Sequence, residues 1–239
     1  MPIAVVIDGA YFLRRFKSRY PSFDPTSPKA VAFGTAWLAA AHLEITSGGT
    51  LPKLTVDQGA ITNIDMSWAE NPELYRIFFY DCPPLLKRVH LPISRRTLDL
   101  AKTETARSRL AIHEELLNVR KVALRLGRLN DKVGWRAKPE AVERWVSDPK
   151  IFGPTDEDFE IDTVQKGVDM RLGLDIAAMA FKRQISQLIL VAGDADFVPA
   201  VKLARREGID VVLDPMGGTP AKDLIAHVDG IRNIGKGTK

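Results

Sequence analysis

Two kinds of apolar segment alternate along the chain. Short continuous runs bounded by Gly, Pro or Asp read as buried strands: PIAVVIDG at 2–9, LYRIFFYD at 74–81, QLILVAG at 187–193 and IDVVLDP at 209–215. Longer stretches with apolar residues near every third or fourth position read as helices. One begins near Pro28, a second covers about 94–119, a third begins near Val168, and DFVPAVKLARREG is a fourth with Gly208 as its stop. A last helical piece lies in AKDLIAHVDGI. KVALRLGRLNDKVGWRAKP reads as a strand or hairpin, while YPSFDPTSP and SGGTLPKL read as loops. Residues 140–165 follow neither period, so an excursion from the core is expected around 139–160. One domain is expected over 1–234, with 235–239 a flexible tail. Strands alternating with helices predict a Rossmann-like, three-layer α/β fold with a mostly parallel sheet. The late strands lack alternation, as expected when both sheet faces are covered.

Acids recur where these strands end. Asp8 closes the first run, Asp81 the second, and Asp194 follows LILVAG. Asp196 opens the next helix, and Asp169 stands in the first turn of the helix after Lys166-Gly167. In an open parallel sheet, ligands bind beyond the C-terminal strand ends where strand order reverses. Asp8, Asp169, Asp194 and Asp196 are therefore expected at one rim. Each has a plainer reading too: Asp caps helices and makes turns. Asp194 fits that reading least, since Gly193 already supplies a turn.

Gathered carboxylates repel and call for a cation. Oxygen ligands with no neighbouring His or Cys suit Mg2+ or Mn2+. Such an ion can hold a phosphate oxygen and acidify a bound water, which is the chemistry of phosphodiester hydrolysis. His42, His90, His113 and His227 share no ligand spacing and read as surface or packing residues, so zinc is not expected. No GxGxxG or GK[ST] loop is present, and GDADF lacks the hydroxyl residue of a DxDxT phosphatase motif. No nucleophile elbow is present either.

Charge adds a partner. The chain carries net +4, but residues 82–150 alone carry 16 basic and 8 acidic groups. A basic middle beside an acidic remainder points to a polyanion, or more plainly to a solvated surface. The nucleic-acid contacts expected there are Lys121, Arg125, Arg128, Lys132, Arg136 and Lys138. Arg14 and Arg15 follow the first strand and frame the rim, and Lys166 adjoins the acids as an outer-shell residue. Trp135 and Tyr11 are candidates for base stacking, although Trp135 fits a core role as well. Cys82 stands alone, the N-terminus has no basic leader, and no run reaches membrane length. A cytoplasmic protein without a membrane partner is the simplest expectation. The sequence leaves oligomeric state open, a homodimer included.

The stretches AVVIDGAYF, FFYDCPP, KVALRLGRL, KGVDMRLGLDIAAMA and LILVAGDADFVPAVKLARREGIDVVL resemble the NYN domain family, in its LabA-like (DUF88) branch of the PIN-like nucleases. The pairing of KGVD with GDADF is the most specific part. The resemblance implies a Rossmann-like fold with an acidic site for Mg2+ or Mn2+, and for several members endonucleolytic cleavage of RNA. It puts metal and catalytic roles on Asp8, Asp169, Asp194 and Asp196. It also implies water attack leaving a 5′-phosphate and a 3′-hydroxyl. Asp81 and Asp175 match further acids of the family, as outer-shell or fold residues. On a helix, six residues from Asp169 is roughly 120° off its face, which argues against a direct metal role for Asp175. Tyr11 stands where many relatives carry Asn, and is assigned to the outer shell. Ala192 stands where some carry Ser. RNA over DNA rests on this resemblance alone. The alternative it leaves is a nucleic-acid- or protein-binding regulator on the same fold.

Overall fold

In the computed structural model, residues 2–129, 133–147, 153–162 and 165–234 are described, with the backbone only at 165–166. Strand β1 (Ile3–Asp8) shows how the layers arise. Its residues alternate, Ile3, Val5 and Ile7 into one core and Ala4 and Val6 into the other. A strand buried on both faces needs no polar side, and this one has none before Asp8.

Five strands join β1 in one fully parallel sheet: β2 (Leu74–Asp81), β3 (Val122–Leu126), β4 (Gln187–Val191), β5 (Asp210–Leu213) and β6 (Gly230–Ile231). Their order is β6-β5-β4-β1-β2-β3. Strand order therefore reverses between β1 and β4, which lie side by side with Ile7 opposite Val191. That is the switch point of a doubly wound sheet, where a crevice opens beyond the strand ends.

One face carries α1 (Gly9–Arg19), α2 (Pro28–Ser47) and α3 (Glu104–Asn118), packed through Phe12, Phe16, Trp37 and Leu116. The other carries α4 (Val168–Phe181) and α5 (Val198–Arg206), packed through Leu172, Ile176 and Val201. The α/β class and the mostly parallel sheet expected from the pattern are what the structure has. Among the described residues, no helix is long and apolar enough to cross a membrane.

The middle of the chain departs from the sequence reading. The helix expected from about 94 starts at Glu104, where Thr103 caps it by accepting from the Ala106 amide. Ahead of it, Arg88–His90 pairs with Thr97–Asp99 as a hairpin. The stretch 121–139 divides three ways. Val122–Leu126 enters the main sheet, Arg128–Leu129 pairs with Gln165–Lys166, and Gly134–Ala137 pairs with Phe159–Asp162. Within the expected excursion, Pro139–Ser147 is a helix, and Phe159–Asp162 brings the chain back. A second hairpin, Leu54–Asp57 with Ala60–Ile64, follows the loop at 48–53.

Candidate functional site

Asp8 is the last residue of β1 and the N-cap of α1, its Oδ1 accepting from the Tyr11 amide at 3.1 Å. Asp194 lies three residues beyond the end of β4 and accepts from the Asp196 amide at 3.2 Å. Both caps satisfy helix-end N–H groups, so the plain reading of these acids holds in part. It does not account for their electrostatics. Burial pushes the Asp8 carboxyl above the ordinary range, with the charge on Asp169 adding to it, against the Tyr11 amide and Arg14. Asp169, in the first turn of α4, is raised by burial and then by the charges of Asp196 and Asp194. Asp169 thus links Asp8 on one side of the switch point to Asp194 and Asp196 on the other. Among the described residues none of the four has an ion-pair partner within 4.0 Å. Nor do three acids, imidazoles or thiols stand close enough, as arranged, to hold a metal ion. The donor chemistry suits a hard divalent cation, while the arrangement is open.

The neighbouring strand ends carry acids of another kind. Asp81, 1% exposed at the end of β2, accepts from Arg109 Nη1 at 2.7 Å and contacts His113 Nε2 at 2.7 Å. Asp214 directly follows β5, is fully buried, meets His42 Nε2 at 2.9 Å and accepts from the Met216 amide at 2.7 Å. Burial holds the His42 imidazole below its ordinary range, against the pull of Asp214. Sequence reasoning passed over Asp214 and Arg109 and took both histidines for surface or packing residues. The signal for Asp214 was there: VVLD ends as VVID and FFYD do.

Tyr11, expected in the outer shell or stacked on a base, is a staple. Its hydroxyl donates to the Pro215 carbonyl at 2.7 Å. Its ring lies where a Cβ on Gly193 would overlap it, and a Cβ on Gly218 would crowd its hydroxyl. The bulk at position 11 is thus matched by glycines in two facing loops. Asp175 is also committed: its Oδ2 accepts from Tyr80 Oη at 2.7 Å and Arg125 Nε at 3.1 Å.

The basic residues separate by what they touch. Arg14 is exposed beside Asp8, and Arg15 reaches the Met216 carbonyl at 3.4 Å. Arg125 is paired with Asp175 and lies over the Phe78 ring at 5.5 Å. Arg136 pairs with Glu160 at 2.6 Å, and Lys138 donates to the Glu157 carbonyl at 2.7 Å. Trp135 is half-buried and donates its indole N–H to the His90 carbonyl at 2.9 Å. Lys121 sits before β3, at the sheet end opposite the acids, with its amine on the Leu74 and Asn71 carbonyls at 2.6 and 3.0 Å. Arg128 is exposed, opposite Lys166 in its two-residue ladder. Lys132 and the side chain of Lys166 lie outside the described residues.

Comparison with known families fits this geometry. Residues 142–233 match the NYN domain, of the PIN-like superfamily. The NYN match covers under half of the chain and takes in Asp169, Asp194 and Asp196 but not Asp8. The sheet, through the β1–β4 pairing, sets the end of β1 beside the end of β4, which lies inside the matched segment. No curated protein and no solved structure gives a significant match. Over those residues the chain is similar to a domain of a nuclease-associated group.

Proposed function

We propose that this protein is a divalent-metal-dependent endoribonuclease acting at the β1–β4 switch point. The observation that carries the reading is the set of four acids at the place where a doubly wound sheet binds its ligand, Asp8 within reach of the Asp169 charge and Asp169 of Asp194 and Asp196, with no ion-pair partner within 4.0 Å among the described residues. The paired KGVD and GDADF motifs favour the LabA-like branch within the NYN family. Mg2+ or Mn2+ would be held by Asp8, Asp169 and Asp194, where it offsets their repulsion and polarises a phosphate oxygen. Asp196 is exposed and orients the attacking water or completes the ion's shell. Arg14 and Arg128 are the cations best placed to take the strand's phosphates. Water adds to phosphorus as the P–O3′ bond breaks, leaving a 5′-phosphate and a 3′-hydroxyl.

The test is a circular single-stranded RNA, which offers an exonuclease no end. It is expected to be cut in Mn2+, and to stay intact in EDTA and with Asp8→Asn or Asp194→Asn. Equal cutting by all three proteins would expose a contaminant. A second reading, a regulator that binds RNA or protein without cutting, is favoured by one observation: no three acids are drawn together to hold an ion among the described residues. RNA binding without cleavage in any metal would establish it.

A further inference from the structure

Two arginines of α1 hold guanidinium nitrogens out of water with nothing to bond. Tyr11, Arg15 and Arg19 stand four residues apart, so they share one face of the helix that Asp8 caps. That face meets the turn after β5, at Asp214–Gly218. Arg19 is only 9% exposed, and its Nη2 is buried without a hydrogen-bond partner. Arg15 Nε is buried and unpartnered as well, while its Nη2 donates to the Met216 carbonyl at a long 3.4 Å. Among the described residues, neither guanidinium has a carboxylate within 4.0 Å.

The turn is pinned from several sides. Its amides at Met216, Gly217 and Gly218 donate to Asp214 Oδ1 at 2.7 Å, Asn233 Oδ1 at 2.8 Å and the Pro215 carbonyl at 2.7 Å. These N–H groups are spoken for, so the donors left over belong to the arginines. Their tips converge on Gly217, where a Cβ would stand 3.8 Å from Arg15 Nη2 and 3.9 Å from Arg19 Nη1. Gly217 is exposed and has φ +69°, so the backbone alone accounts for the glycine. Its consequence is that no side chain at 217 covers the two tips.

The plainer reading is that Asp214, which opens the turn, balances the arginines at a distance. Its oxygens already serve His42 and the Met216 amide, and it sets one carboxylate against two guanidiniums. A buried cation is ordinarily paired and hydrogen-bonded. What this pair lacks is an oxyanion, and phosphate is the one that the guanidinium fork matches.

We propose that Arg15 Nη2 and Arg19 Nη1, over the turn at Gly217, bind one phosphate group. Arg15 lies seven residues past Asp8, about 10 Å along the helix, so the site is separate from the acids. It stands whether or not those acids cut RNA. Inorganic phosphate and a phosphate of a nucleotide chain present the same oxyanion.

The experiment is calorimetry in EDTA, with inorganic phosphate titrated at constant ionic strength. The wild type is expected to show one site. Arg15→Gln and Arg19→Gln are each expected to bind about tenfold more weakly, the effect of losing one charge-assisted hydrogen bond. Arg15 is half-buried, so its variant serves if Arg19→Gln fails to fold. A short RNA is then added as competitor, with either a 5′-phosphate or a 5′-hydroxyl. Displacement of phosphate by both RNAs assigns the site to a phosphate within a strand, and displacement by the first alone assigns it to a chain end. Displacement by neither assigns it to the free ion, and each of these results keeps the site. A wild type that binds no phosphate, or variants that bind it as tightly as the wild type, would overturn the proposal.

Discussion

Asp81 and Asp214 flank the centre of the sheet, and Asp8 with Asp169, Asp194 and Asp196 occupy it. The flanking acids are almost wholly buried, and each has a histidine within hydrogen-bond reach, Asp81 an arginine besides. The central acids are less buried and face one another's charge. A carboxylate can be taken out of water when hydrogen bonds and a counter-charge replace the solvent. Asp81 meets both conditions through Arg109, and Asp214 is held by hydrogen bonds from the His42 ring and the Met216 amide. Among the described residues the central four have no ion-pair partner within 4.0 Å, and burial, with their neighbours' charges, pushes the pKa values of Asp8 and Asp169 upward. Acids at neighbouring strand ends of one sheet thus divide into those that complete the fold and those with no ion-pair partner among the described residues. This is why position in the sequence alone could not sort them.

The largest effect that can break the comparison is on stability. Asp214→Ala leaves buried His42 and the Met216 amide without their acceptor. It is expected to cost about 1–3 kcal/mol for each of the two buried donors left unsatisfied. Asp81→Ala is expected to cost less, since Arg109 can turn its exposed edge to water. Urea denaturation in EDTA measures both. A loss from Asp194→Ala as large as that from Asp214→Ala would erase the distinction, because it would make a rim acid as structural as a flanking one.

A smaller effect of opposite sign is expected at the centre. The folded-state pKa of Asp8 and of Asp169 lies above the unfolded value near 3.8. Each therefore favours the fold fully below that value, and the contribution is lost as pH rises through the folded pKa. At neutral pH the metal-free protein carries the repulsion of its central acids. Asp8→Asn is expected to melt higher than the wild type in EDTA at neutral pH, and the advantage is expected to vanish near pH 3.8. Mn2+ is expected to reverse the ranking, since a ligand present at 100 times its Kd adds about 2.7 kcal/mol to the protein that binds it. Melting curves over pH, with and without Mn2+, give the answer. A wild type that gains nothing from the ion would leave the four acids without a cation and favour the regulator.

Much of the outer fold was legible because its signals are local. Apolar runs such as AVVI and LILV, short and closed by Asp or Gly, read as strands covered on both faces, and Gly208 or Pro28 marks a helix end by backbone geometry. The middle was less legible because its order comes from pairing at a distance. Arg128–Leu129 becomes a strand by meeting Gln165–Lys166, and nothing in the local sequence announces that partner. The same limit applies to the basic residues. Arg125 and Asp175 are 50 positions apart, and Lys121 finds its carbonyls at Asn71 and Leu74. Tyr11 read as a candidate for base stacking because its two glycines, Gly193 and Gly218, come from loops about 200 residues away.

The smallest expected effect sharpens the comparison on the cation side. Lys121 and Arg128 lie seven residues apart in the same basic stretch, and sequence treats them alike. Lys121 sits at the far end of the sheet, and burial among carbonyls lowers its amine's pKa. Arg128 is exposed on the short ladder that leads into Gly167 and α4, two residues before Asp169. A strand passing the rim acids would meet Arg128 and miss Lys121. For a single strand, each cation removed from a phosphate lowers the slope of log affinity against log salt by about 0.7. Arg128→Ala is expected to lower the slope by about that amount and to weaken all RNA sequences alike, since a phosphate interaction carries no base information. Lys121→Ala is expected to leave the slope unchanged and to lower the melting temperature, because its amine ties β3 to the start of β2. Equal slopes for Arg128→Ala and the wild type would move the RNA path off this ladder and toward the Arg14 side of the rim. An equal fall for Lys121→Ala would mean that RNA also crosses the far end of the sheet, where none of the candidate acids stands.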